Sequence, residues 1–138
     1  MSLPQEPIND LPHSVREIAE VIGREQALVL LGRLPRAYTR EHPSGTPILY
    51  VPKTLKPDHV LVEIIGWGDA SKLVKAFGGE ILQPSACTSM VKAFRNATIR
   101  GMAARGLKRR LIAVQIGVSD STVEKVLSVK PQEELAGA

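Results

Sequence analysis

Along residues 16–34 the run REIAEVIGREQALVLLGRL alternates apolar and polar positions at helical spacing, and Gly23 divides it into two short helices. Just ahead, Ser14 and Glu17 stand three residues apart, the spacing of a capping box that starts the first helix. Residues 61–77, LVEIIGWGDASKLVKAF, repeat the pattern at an offset of 43. Glu20, Ile22, Gly23, Ala27 and Leu30 match Glu63, Ile65, Gly66, Ala70 and Leu73. Val21/Ile64, Gln26/Asp69, Leu31/Val74 and Leu34/Phe77 are near matches. Each copy then reaches a strand-like run, GTPILYVPK at 45–53 and GGEILQPS at 78–85, the first after a longer loop, RAYTREHPS.

The repeated unit is thus helix, glycine, helix, and a short strand ending at a proline. Gly78-Gly79 follows a helix, not a strand, and is expected to end it rather than cradle a phosphate. Neither strand has an adjoining hairpin partner. Two such open edges satisfy each other most simply across a two-fold axis, so dimerisation through this region is expected.

After Pro84 the pattern changes. A helix is expected over roughly 87–104, with Val91, Phe94 and Met102 on an inner stripe and Gly106 ending it. The next stretch, LKRRLIAVQIGVSDSTVEKVLSV, has the spacings of a helix-turn-helix. Ala113 is the small residue where two helices cross, and Gly117 is the turn residue. Ile112, Ile116, Val118, Val123, Val126 and Leu127 provide the packing. An ordinary helical hairpin is the competing reading.

Charge sharpens the division. The 138-residue chain is 43% hydrophobic and 23% charged, with formal net charge +4. Residues 1–86 carry nine Lys/Arg against ten Asp/Glu, whereas residues 87–130 carry nine against two, a net +7. A basic module that meets an anion, most plausibly nucleic acid, is attached to a near-neutral one. The proposed recognition helix is itself acidic in places, at Asp120 and Glu124. With Ser119 as N-cap, Asp120 falls in the first turn, where the helix dipole favours it. With Val123 facing inward, Ser121 and Lys125 centre the outer face, flanked by Thr122, Glu124 and Ser128. Ser119, Ser121, Thr122, Glu124 and Lys125 are the candidate base-reading residues. Lys92, Arg95, Arg100, Arg105, Lys108, Arg109 and Arg110 are the candidate phosphate contacts, which position the protein while base contacts specify.

Other chemistry is sparse. His13, His42 and His59 lack metal-ligand spacing, and no Cys pair accompanies them, so no metal is expected. Cys87 reads as a small residue near a helix start, and a lone cysteine suits a reducing cytoplasm. Trp67, in the turn between helices, is expected to pack or meet a partner. No nucleophile–base–acid set is apparent, so no enzyme and no cofactor are expected. No run is long enough to span a bilayer, and MSLPQEPINDLP has neither a cationic leader nor an apolar core of a signal peptide.

Taken together, EIAEVIGREQALVLL…LYVPK, LVEIIGWGDASKLVKAFGGEIL and AFRNATIRGMAARGL…IAVQIGVSDSTVEKVL resemble the Mor (middle-operon regulator) family of phage transcription activators, over about residues 15–128. The resemblance implies a homodimer with one helix-turn-helix per subunit. It further implies binding to imperfect inverted repeats in double-stranded DNA and recruitment of bacterial RNA polymerase, in the cytoplasm of a bacterial host. The family's recognition-helix pattern falls on Ser119, Ser121, Thr122 and Lys125. This last helix has fewer cations than the family tends to carry. The strand before the DNA-binding region has Leu82 where the family often has Tyr, leaving Tyr50 of the other copy and Gln83 as candidate linker-strand contacts.

The expected fold is mainly α with short β-strands (α+β). Its parts are a flexible tail at 1–13, a dimerisation domain at 14–86, a helix-turn-helix domain at 87–130 and a second tail at 131–138. A repressor or architectural DNA-binding protein of the same fold, or a protein-interaction module such as an antirepressor, are the alternatives. The last stretch also resembles the DNA-binding tails of serine recombinases, but the duplicated helical front half offers no catalytic domain to match.

Overall fold

A computed structural model describes residues 8–43 and 45–129; the expected tail at 131–138 and the first seven residues lie outside that range. The fold is mainly helical, with four two-residue strands in two antiparallel pairs among the described residues. The chain divides into two compact units between Thr88 and Ser89.

The first unit opens with α1 (His13–Ile22) and α2 (Arg24–Arg33). Val15, Ile18, Ala19 and Ile22 are buried along α1 at the i, i+3, i+4, i+7 spacing that makes one helical face. The expected capping box does not form. The helix starts at His13 with Pro12 at the cap position and no side-chain cap, so Ser14 lies inside the first turn, where its hydroxyl accepts a hydrogen bond from the Ser85 backbone N–H at 3.0 Å. Glu17 pairs with His13 at 3.3 Å.

The part of the expected tail that is described, residues 8–12, is held to the unit. Leu11 is 1% exposed, the Arg16 guanidinium donates to the Asn9 and Leu11 carbonyls at 3.2 and 3.0 Å, and Arg24 meets Asp10 at 2.7 Å. Sequence alone had no sign of this, since one leucine among prolines and polar residues has no periodicity to betray it.

Beyond α2 the longer loop supplies β1 (Arg36–Ala37), which pairs with β2 (Thr46–Pro47) at the start of the first strand-like run. β3 (Leu49–Tyr50), α3 (Val60–Phe77) and β4 (Ile81–Leu82) complete the unit. The His59 imidazole caps α3 by accepting from the Leu61 N–H. β3 pairs antiparallel with β4, Leu49 opposite Leu82 and Tyr50 opposite Ile81. The expectation that neither strand finds a partner within the chain is therefore wrong: the first run pairs at its start with nearby β1, and each copy's strand is the other's partner from 30 residues away. Gly78 ends α3, the Glu80 N–H returns to the Phe77 carbonyl, and Val51 exchanges hydrogen bonds with Glu80 and Gly79.

Both copies turn at their glycine in the same way. Gly23 has φ 90° and ψ 161°; Gly66, inside α3, has φ 85° and ψ 163°. An L-residue essentially never adopts this conformation. Space is not the reason for glycine, because an added Cβ at either position meets no atom within 4 Å.

In the second unit α4 (Thr88–Ala104), α5 (Arg109–Ile116) and α6 (Asp120–Ser128) enclose a small core of Ile99, Ile112, Ala113, Val123 and Val126. Met102, Ile116 and Val118 are partly buried against it. Val91 and Phe94 are half-buried, while the fully buried positions of α4 are Ile99 and Asn96. Leu127, expected to pack, is 43% exposed, because Val123 and Val126 already occupy the inner stripe of α6.

Gly23→Ala and Gly66→Ala are each expected to cost about 1–3 kcal/mol, through backbone strain alone. Gly101→Ala, at an open helical position of α4, is expected to add roughly 0.5–1 kcal/mol instead. Urea denaturation of the three variants checks both signs.

Candidate nucleic-acid interface

α5 and α6 are joined by a three-residue turn. Gly117 takes the left-handed conformation, φ 84° and ψ 36°, and its N–H and that of Val118 both return to the Ala113 carbonyl. This ends α5 and reverses the chain within Val118 and Ser119. The Ser119 hydroxyl then accepts from the Thr122 N–H at 3.2 Å, an N-cap, and Asp120 sits in the first turn of α6. Val123 and Val126 face the core, leaving Ser121, Glu124, Lys125 and Ser128 exposed and Thr122 half-buried.

The hydroxyls at the start of α6 form a cluster. Ser119 Oγ lies 3.1 Å from Ser121 Oγ and 2.9 Å from Thr122 Oγ1. Ser119 thus holds the helix start, and Ser121 is the more exposed of the two other hydroxyl groups. A hydroxyl can switch between donor and acceptor by rotation, so the cluster can serve either kind of base edge.

The seven candidate phosphate contacts separate by position. Arg105, Lys108, Arg109 and Arg110 are exposed between the end of α4 and the first turn of α5, the last three consecutive; Lys92 is exposed near the start of α4. Arg95 and Arg100 have structural partners. Arg95 donates twice to the side-chain oxygen of Asn96, at 3.0 and 2.9 Å, and Asn96 is 2% exposed. Arg100 donates to the Val126 and Val129 carbonyls at 3.5 and 3.4 Å, placing a cation at the C-terminus of α6, where the helix dipole favours it.

One pairing joins the two expected sets. Arg109 Nη1 lies 3.4 Å from Glu124 Oε2, linking the first residue of α5 to the outer face of α6. Both side chains are more than half exposed, so the pair contributes at most about 1 kcal/mol and can open readily. Sequence reasoning assigned Glu124 to bases and Arg109 to phosphates without placing them together, because they lie fifteen residues apart on different helices. An acid on this face is thus paired with one of the nearby cations.

The remaining candidates lie in the first unit. Tyr50 is exposed on β3, and Gln83 is exposed just beyond β4. Trp67 is 51% exposed at the Gly66 bend. Cys87 is partly buried immediately before α4, with a positive φ of 46°. Among the described residues no group of three or more His, Cys, Asp or Glu is placed to hold a metal ion, and no helix is long and apolar enough to cross a membrane. No protein-family model, characterised protein or solved structure matches this chain.

Glu124→Gln is expected to release Arg109 and raise affinity for non-specific duplex DNA by up to about fivefold at low salt, the upper end for an exposed ion pair. Unchanged affinity in a fluorescence-anisotropy titration would show that the pair does not restrain Arg109. Ser119→Ala is expected to lower stability by about 1 kcal/mol through loss of the cap, and Ser121→Ala by much less; thermal denaturation separates them.

Proposed function

We propose that the second unit is a helix-turn-helix that reads double-stranded DNA, and that the protein is a Mor-type, sequence-specific transcription regulator. The observation that carries this reading is the α5–Gly117–α6 arrangement. A helix with an outer face of Ser121, Glu124 and Lys125 stands beside the contiguous exposed cations Lys108, Arg109 and Arg110. In the proposed complex, α6 enters the major groove and the start of α5 crosses the phosphate backbone. Arg105, Lys108, Arg109, Arg110 and Lys92 supply phosphate attraction, while Arg100 supports the end of the reading helix and Arg95 bonds buried Asn96 of α4. Glu124 accepts from a cytosine amino group, or restrains Arg109 until DNA displaces it.

By resemblance the regulator is an activator that recruits RNA polymerase in a bacterial cytoplasm. With β3 and β4 paired to each other, these strands need no second chain as partner, and a homodimer on an inverted-repeat operator rests on the resemblance alone.

A protein-interaction module is the second reading, favoured by one specific feature. Leu111 and Val114 on α5 are 48% and 74% exposed, an apolar pair next to the basic cluster. Selection from random duplex DNA at near-physiological salt decides between the readings: enrichment of a defined sequence supports DNA reading, retention without enrichment favours an architectural role, and no retention favours the interaction module.

Arg110→Ala is expected to weaken binding uniformly across sequences and reduce the slope of log K against log salt by about 1. Lys125→Ala is expected to relax specificity at one base position. Titrations of both variants at several salt concentrations, on selected and scrambled duplexes, test this division of roles.

A further inference from the structure

We infer that the first unit is an intramolecular pseudo-dimer. Two copies of one helix–glycine–helix–strand module are paired across an approximate two-fold axis, so the surface that would join two chains is filled within one. A consequence, which rests on the DNA-reading proposal above, is that each chain engages a single half-site.

The evidence is where counterpart residues meet. In a repeat related by translation or a screw, position i of one copy meets a different position j of the next. Only a two-fold relation brings a position against its own counterpart. Two independent contacts in this unit do so. Gln26 and Asp69 are counterparts at the offset of 43, and Gln26 Nε2 donates to Asp69 Oδ2 at 2.6 Å. The strands align as Ile48-Leu49-Tyr50 with Ile81-Leu82-Gln83, and Leu49 sits opposite its counterpart Leu82 in the antiparallel ladder. One contact is a polar side-chain pair between helices, and the other is a backbone ladder.

The two modules also share their internal geometry. Gly23 and Gly66 agree within 5° in φ and 2° in ψ. Four counterpart pairs are buried alike: Ile18/Leu61, Ile22/Ile65, Ala27/Ala70 and Leu30/Leu73. The copies also differ. The first copy has the longer connection between its second helix and strand, and that insertion supplies β1, which pairs with β2 at the start of the strand run. Leu28 and Leu31 are buried, whereas their counterparts Ser71 and Val74 are only half-buried.

Closure within the chain changes valency. A two-chain dimer built from one module apiece presents two reading units, whereas this chain has two modules and a single α4–α6 unit.

Tyr50 and Ile81 permit a direct test, because they are directly opposite in the ladder and both exposed, at 56% and 62%. Cross-strand neighbours lie at about the Cβ separation that a disulfide requires with slight adjustment. The full chain carrying Tyr50→Cys, Ile81→Cys and Cys87→Ser is oxidised, run without reductant and analysed by peptide mass spectrometry. The unsubstituted protein is weighed by light scattering against the 15.0 kDa chain mass. It is also titrated onto duplexes carrying one half-site or the full selected site.

The expected result is an intrachain cross-link and the mass of one chain. DNA would be bound one chain to a half-site, without the roughly 10²–10⁴-fold gain in affinity that a linked pair of reading units can bring. A covalent dimer would mean that modules are exchanged between chains, and absence of any cross-link would mean that the ladder is not formed; either overturns the inference. An intrachain cross-link with twice the chain mass would overturn the single-half-site consequence, because chains would then associate through another surface. An intrachain cross-link in a one-chain species that retains no DNA would support the pseudo-dimer and defeat the DNA-reading proposal instead.

Discussion

Buried backbone groups must be hydrogen-bonded, and the stretch Leu49–Val51 shows what that demand does to a chain. Leu49 and Val51 are 1% and 3% exposed, so the peptide groups around them are poorly placed to use water. They find partners thirty residues on, where Val51 donates to the Glu80 carbonyl at 3.0 Å and accepts from the Gly79 N–H at 2.8 Å. The requirement brings the end of α3 against the strand after the longer loop, and with it the two copies of the repeated unit. A two-residue ladder is weak alone. Here it is backed by apolar side chains at Leu49 and Val51 and by the helices joined through Gln26, whose amide bonds both the Ile65 carbonyl and Asp69.

The second unit solves a different problem. Its core is small, and its three helices carry an excess of positive charge. Part of that charge is used for structure: Arg100 lies against the carbonyls at the end of α6, and Arg95 bonds the side chain of buried Asn96. The acids of α6 take complementary positions, Asp120 at the helix's positive end and Glu124 against Arg109. Acids on a helix beside a basic cluster are therefore part of the local balance of charge. The cations from Arg105 to Arg110 form the concentrated exposed remainder, and the proposed DNA contact draws its attraction from them.

Much of this was legible in the sequence because it is local. The repeat, the turns at Gly23, Gly66 and Gly117, the Ser119 cap and the inward Val123 and Val126 follow from spacing and backbone preference within a few residues. The candidate site was legible to the same extent: which α6 residues face outward follows from helical period alone. Arg95 and Arg100 were not separable from the other cations, because a formal charge count carries no information about the carbonyls and amides that surround each side chain.

Tertiary structure decided where local rules had competing answers. Ser14 had the spacing to cap its own helix, yet α1 begins at His13 after Pro12, which puts Ser14 inside the first turn and leaves its hydroxyl to serve the Ser85 N–H. Leu11 entered the core through the reach of Arg16 and Arg24. Arg109 met Glu124 only because the turn at Gly117 folds α6 back against α5. Sequence by itself determined that there are two alike modules and a basic helical unit, because period, glycine and charge are written along the chain. That the modules pair with each other was left to three dimensions, because strand edges are satisfied by whichever complementary edge the packed chain brings within reach.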